Sequence, residues 1–321
     1  MTAQILAAAG GVALSLVLAP LLPGIINRVK AKVGGRRGRP LLQLYFDLYK
    51  LVRKRPVYSH TTSWFFQAAP PAGVASGMMA LCVLPFGALG ALVSFPGDFL
   101  FLGGLFALAR FTLILAALDT GSAFEGMGAA REALFSALAE PIFLFCLLIL
   151  GFNSHQHSLA AMIGGIAPDV WQADWPFYIM IAFSLFLLLL PENCRIPADD
   201  PNTHLELTMI HEVMILDHSG PDLAMLEYAS ALKLWIFSLL IAGVLMPAVC
   251  GPLFLGTGAL AGQGPGAVTL SAGLTLLFVL GAGVLVGFVE SVMARFRMER
   301  VPQILTMAGC FACLAALSLW R

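Results

Sequence analysis

Eight apolar runs divide this chain of 321 residues, each near the roughly 17–25 residues that a helix needs to cross a bilayer. They cover roughly residues 3–26, 68–93, 99–118, 133–152, 175–191, 231–250, 267–289 and 302–320. Hydrocarbon offers the backbone no hydrogen-bond partner, and a helix satisfies its own. The predicted fold is therefore an all-α polytopic membrane protein with about eight transmembrane helices, forming a single integral membrane domain over 1–321. Composition agrees. Hydrophobic residues make up 59% and charged residues 11% of the chain, whereas a soluble domain carries about 25% charge. An ordinary cytosolic enzyme is excluded, because too few polar groups remain to coat a core. The first run has neither a basic leader nor a small-residue cleavage site, so it reads as a retained span. Net charge is zero, which implies no nucleic-acid partner.

The placement of the few charges sets the expected topology. Ten basic residues follow the first run: Arg28, Lys30, Lys32, Arg36, Arg37, Arg39, Lys50, Arg53, Lys54 and Arg55. Arg131, Arg195, Lys233, Arg295, Arg297 and Arg300 fall on the same side, and the opposite loops (94–98, 153–174 and 251–266) hold none. The excess of Lys and Arg marks the cytoplasmic face, so both termini are expected outside. Residues 27–66 then form a basic cytoplasmic loop, suited to anionic lipid. Within it, Tyr45-Phe46-Asp47-Leu48-Tyr49-Lys50-Leu51 predicts an amphipathic helix on the membrane surface.

Ionisable residues at membrane depth are costly and functional by default. Arg110 and Glu140 fall inside predicted spans, about 12–13 Å from the cytoplasmic ends at 1.5 Å per residue; opposite in charge and similar in depth, they predict an ion pair. Glu290 lies near a span end. Pro141 removes a backbone donor beside Glu140 and opens that turn to water, as a proton path requires.

Residues 192–230 predict an acidic cytoplasmic loop. It carries Glu192, Asp199, Asp200, Glu206, Glu212, Asp217, Asp222 and Glu227 against Arg195 alone, either a docking surface or a set of carboxylates that perturb one another's pKa values. Residues 203–212 read as helical, with His204, His211 and His218 at seven-residue spacing on roughly one face. A zinc site is disfavoured because Ile215 stands where the second His of the motif belongs. The six cysteines, including the Cys310–Cys313 pair inside an apolar run, read as small hydrophobes. Gly126-Met127-Gly128 lacks the rest of a phosphate loop, and Gly283 with Gly287 forms a helix-packing pair.

Four blocks, in order along the chain, carry a family resemblance. They are Arg37-Gly38-Arg39-Pro40 with Gln43, Asp47 and Lys50-Leu51; Asp119-Thr120-Gly121-Ser122 and Gly128-Ala129-Ala130-Arg131-Glu132 with Glu140-Pro141; Glu192, Arg195, Pro197, Asp199, Glu206, Asp217 and Ser219-Gly220; and Glu290-Ser291 with Ala294-Arg295 and Arg297. The sequence resembles subunit 1 of respiratory complex I and its relatives, the membrane subunits of energy-converting nickel–iron hydrogenases and formate hydrogenlyase. Asn202 and His204 stand where complex I has two glutamates, which favours the hydrogenase branch over a quinone site.

The resemblance implies a non-catalytic anchor in the bacterial or archaeal inner membrane. Its expected partners are a hydrophilic iron–sulfur small subunit, a hydrogenase-like large subunit and antiporter-like membrane subunits. Iron–sulfur clusters and the nickel–iron centre would sit in those partners, with no cofactor or metal in this chain. The implied proton and coupling path comprises Glu140, Arg110, Glu192, Asp199, Glu206, Glu212, Asp217 and Glu290. The implied docking residues are Arg37, Asp47, Lys50, Arg131, Arg195 and Asp200. A quinone-site subunit of NADH dehydrogenase and a stand-alone secondary transporter remain as alternatives. The absence of repeated halves and matched broken helices argues against the transporter.

Overall fold

A computed structural model describes residues 2–199, 209–254, 265–294 and 296–319. Among these residues all regular structure is helical. In chain order the helices are α1 (Thr2–Leu18), α2 (Leu21–Val33), α3 (Gln43–Val52), α4 (Trp64–Val83), α5 (Asp98–Asp119), α6 (Ala123–Ser154), α7 (Leu159–Gly164), α8 (Pro168–Ala173), α9 (Trp175–Glu192), α10 (His211–Met214), α11 (Pro221–Phe254), α12 (Pro265–Val292) and α13 (Val301–Ser318). Among the described residues, seven helices are long and apolar enough to span a membrane, and α1 with α2, a pair bent at a short break, is long and apolar enough when taken together.

That break corrects the continuous first span expected from the sequence. The axis turns by 45° between α1 and α2, because Pro20 has no N–H to donate to the Leu16 carbonyl four residues back. Two tyrosines occupy the carbonyls at the break. Tyr228 on α11 donates its hydroxyl to Leu16 O at 2.8 Å, and Tyr45 on α3 donates to Val17 O. The amphipathic helix expected near Tyr45–Leu51 is α3. It packs on α2 and α11 and leaves Phe46 and Tyr49 exposed.

α11 lies at the centre of the bundle, packed against α4, α9 and α12. Its Trp235 and Phe237 are fully buried, and the Phe237 ring stacks on Phe106 of α5 at 5.5 Å. The Gly283/Gly287 pair packs as expected: α12 lies on α2, and a Cβ on Gly287 would meet Val29 Cβ at 2.9 Å. Only residues without side chains permit that helix separation.

Three span boundaries move: α4 ends at Val83, not near 93, because the chain leaves the helix at Leu84 in an extended conformation. α6 begins at Ala123, not near 133, and α11 begins at Pro221, not near 231. Arg131, expected in a loop, therefore lies on α6, and Lys233, near the expected start of its span, lies well inside α11. The acidic segment correspondingly shrinks, since Glu192 ends α9 while Asp222 and Glu227 belong to α11. Of the helix expected over 203–212, residues 203–208 lie outside the described residues; Met209 and Ile210 are non-helical, and His211 opens a single helical turn that ends at Met214. Asp200, Asn202, His204, Glu206 and Arg295 lie outside the described residues.

Candidate functional site

Arg110 sits twelve residues into α5, about 18 Å from its start at 1.5 Å per residue. Its guanidinium has five donors in a fixed fork, and three carboxylates from two helices converge on it. Nε meets Glu132 Oε1 of α6 at 3.2 Å, Nη1 contacts Glu140 of α6, and Nη2 meets Glu192 Oε2 at the end of α9 at 2.6 Å. Lys233 of α11 holds the same Glu192 oxygen at 2.6 Å. The expected Arg110–Glu140 pair is thus present, but as one edge of a five-residue cluster drawn from four helices. Isolated in hydrocarbon, any of these charges would cost several kcal/mol. Mutual pairing makes their burial tolerable, and removing one member leaves the others uncompensated.

The cluster is open to space on two sides. A cavity of about 90 Å³ is lined by Glu132, Glu192, Lys233, Asn193, His211 and residues of α4. A second, of about 270 Å³, is lined by Leu100, Gly103, Gly104, Ala107, Leu144 and Glu140 among others. Arg110 and Glu192 line both. Both cavities are lined largely by apolar side chains, with the charged groups of the cluster at one wall; a water beside that wall finds hydrogen-bond partners, and a carboxylate facing it can exchange a proton.

A second charged group lies towards the α9–α11 connection. Glu290 of α12 has a fully buried side chain, paired with Lys30 Nζ of α2 at 2.8 Å and approached by Arg195 Nη1 at 3.8 Å. Asp199 is buried, and its carboxylate accepts the Ile210 backbone N–H at 2.9 Å. Arg131 donates to Met209 O at 2.8 Å. Gly128 lets this segment lie on α6, because a Cβ there would meet Val213 and, at 3.0 Å, the Ile210 carbonyl.

Burial perturbs the titratable groups of this loop. Desolvation, with Glu227 and Asp199 adding repulsion, pushes Glu212 up to about 7. Desolvation first, then Lys233 and Arg195, pushes His211 down to about 4. His218 is likewise pushed down to about 4 by burial, with its ring stacked on Phe66 at 3.8 Å. Both histidines are neutral at pH 7. They do not share a helical face: His211 lines the smaller cavity while His218 packs against α4, since the helix ends at Met214. Burial also raises the Cys194 thiol well above its usual range.

The remaining expected residues fall apart. Asp217 is exposed, and only its backbone N–H is engaged, donating to Glu125 Oε1 at 3.2 Å. Arg37 and Lys50 are exposed, and Asp47 accepts from Gln43 at 2.9 Å. Asp200 and Glu206 lie outside the described residues. Sequence reasoning missed Glu132 and Lys233 as site residues. A signal existed for both: Glu132 adjoins Arg131 in a motif block, and Lys233 lies inside an expected apolar span. Among the described residues no group of three or more His, Cys, Asp or Glu side chains is arranged to hold a metal.

Comparison with known proteins agrees with this architecture. The family model described as NADH dehydrogenase matches residues 6–320. Formate hydrogenlyase subunit 4 of Escherichia coli strain K12 is 28% identical, covering 94% of each chain. Hydrogenase-4 component C of the same strain is 29% identical, over 94% of this chain and 91% of its own. NADH-ubiquinone oxidoreductase chain 1 of Triticum aestivum is 27% identical over 76% of this chain and 74% of its own. Among solved structures, a chain of the membrane-bound sulfane sulfur reductase, an archaeal respiratory membrane complex, superposes with a TM-score of 0.78 at 17% identity, covering 98% of both chains, a likeness of fold. The chain belongs to the NADH dehydrogenase family, on its complex I subunit 1-like hydrogenase branch, and is a membrane subunit of a complex I-like respiratory or hydrogenase complex.

Proposed function

We propose that this subunit anchors a hydrophilic iron–sulfur and nickel–iron arm on the cytoplasmic face and couples electron transfer there to ion movement within the membrane. The observation that carries the reading is the Arg110 cluster: three carboxylates and two cations from four helices, at membrane depth, open to cavities on both sides. A change of charge at a docked redox centre alters the free energy of ionising nearby buried carboxylates. Glu212, already near neutrality at about 7, is the loop group best placed to exchange protons at physiological pH. His211 lines the smaller cavity together with Lys233, Glu132 and Glu192, and so links the loop to the cluster.

The hydrogenase-type assembly is preferred because the formate hydrogenlyase and hydrogenase-4 relatives align over 94% of this chain, against 76% for the NADH-ubiquinone oxidoreductase relative. The inner membrane with both termini outside is the matching location, following the basic residues. Purification of the intact complex in mild detergent tests the partners by mass spectrometry. A nickel–iron large subunit is expected; NADH-oxidising subunits with quinone reductase activity would point to the complex I alternative. Glu140→Gln tests the coupling. The complex is expected to assemble but to turn over more slowly or uncoupled from ion movement, and unchanged turnover with unchanged ion movement would reduce Glu140 to a structural group.

A further inference from the structure

Glu140 is the one member of the cluster with a substantially open side chain. It is 37% exposed, against 23% for Lys233, 15% for Glu132 and 6% for Arg110 and Glu192. It lies fourteen residues before the end of α6, about 21 Å along the helix at 1.5 Å per residue, and so near the middle of the span. A carboxylate at that depth does not face lipid.

The surface around it has the shape of a helix seat. Leu100, Gly104, Ala107 and Phe111 on α5, and Ala137, Glu140 and Leu144 on α6, follow the three- and four-residue spacing of one helical face. Gly103, Gly104, Ala107, Glu140 and Leu144 line the 270 Å³ cavity, and a Cβ on Gly104 would meet nothing within 4 Å. The outer rim of the groove is uncovered: Leu100, Gly104 and Phe111 of α5 and Ala137 of α6 are exposed. Small residues at such a face permit close approach of another backbone.

Charge states what the occupant must bring. With all groups ionised, Arg110 and Lys233 supply two positive charges against three negative ones from Glu132, Glu140 and Glu192, leaving one negative charge uncompensated beside the open Glu140 carboxylate. The geometry points to the α5–α6 groove as the seat of a transmembrane helix from a neighbouring membrane subunit of the same complex, one that presents a hydrogen-bond-donating or positively charged side chain to Glu140. This deepens the proposed function by naming the surface through which the cluster would meet its membrane partner, and it rests on that reading.

Site-specific photocrosslinking in the intact complex tests it. A benzoylphenylalanine at Leu100 or Leu144, irradiated in native membranes, is expected to give an adduct with another polytopic subunit that co-purifies with this chain. The crosslinked segment should be an apolar helix with a polar donor near its middle. Adducts confined to lipid, or to a second copy of this chain, would overturn the proposal while leaving the proposed function intact. So would a crosslinked helix without any polar side chain. A purified complex without another membrane subunit would overturn both. As a second measurement, Gly104→Leu fills the groove without touching the charges. It is expected to strip the neighbouring membrane subunit while the hydrophilic subunits remain bound, and full retention of that neighbour would count against the seat.

Discussion

The membrane-depth cluster around Arg110 and the acidic α9–α11 connection carry similar residue types but use them differently. In the cluster, five charges spread over more than a hundred residues of sequence come together, three carboxylates on one guanidinium and Lys233 on one of those carboxylates. In the connection, charges dense in sequence separate into different tasks: Glu192 joins the cluster, Asp199 ties the loop to Ile210, and Asp217 points to solvent. Solvent makes the difference. In hydrocarbon an unpaired charge is expensive, so every ionisable side chain is drawn to a partner. At the surface water solvates each one separately, and density in sequence dictates no contact.

The sharpest way to break the comparison is Arg110→Leu. It removes the cation from Glu132 and Glu140 and leaves Glu192 with Lys233 alone, and breaking such a buried network costs about 3–5 kcal/mol. The chain is expected to be depleted from membranes, as an immunoblot would record; normal abundance would show that water, not pairing, solvates the cluster. Asp199→Ala should be milder. It removes a charge-assisted bond to a buried N–H, worth about 2 kcal/mol, so the purified complex should lose its hydrophilic subunits at a lower temperature than wild type.

Glu212 separates the two regions by pH. Its folded-state pKa of about 7 is raised above the ordinary value of 4.5, chiefly by burial. The folded protein therefore holds this proton more tightly than the unfolded chain. Stability falls as pH rises from about 4.5 through 7 and levels off above. Glu212→Gln should flatten that part of the wild-type pH profile of thermal unfolding, and an unchanged slope would place the titration elsewhere. Asp217→Ala is the smallest expected effect. Its side chain is exposed, and the Glu125 bond uses only its backbone, so the change should stay within about 0.5 kcal/mol. A larger loss of complex stability would identify it as a partner contact.

Much of the architecture was legible without coordinates. The seven long apolar helices fall where the hydropathic runs lie, and α3 falls on the amphipathic stretch around Tyr45–Leu51. The break at Pro20 was signalled by the proline yet read through, because the surrounding residues stay apolar on both sides. The early starts of α6 and α11 were hidden for the opposite reason. Their N-terminal segments carry Glu125, Arg131, Asp222 and Glu227, which mark loops in a hydropathic reading but here extend helices beyond the apolar run. Arg110 and Glu140 were legible as a pair because depth can be counted along a helix. Glu132 and Lys233 were not, since each sat at a boundary that moved.

By itself, the sequence determined that this chain spans a membrane repeatedly, which residues must sit at depth, and to which family it belongs. These follow from run length, from the cost of charge in hydrocarbon and from motif blocks in register. Tertiary structure alone decided that one arginine gathers carboxylates from α6 and α9 while Lys233 joins from α11, that Glu290 pairs with Lys30 and Arg195, and that Glu140 remains open to a groove. Periodicity fixes which way a side chain leaves its own helix, but which helices stand beside each other depends on packing between segments far apart in the chain.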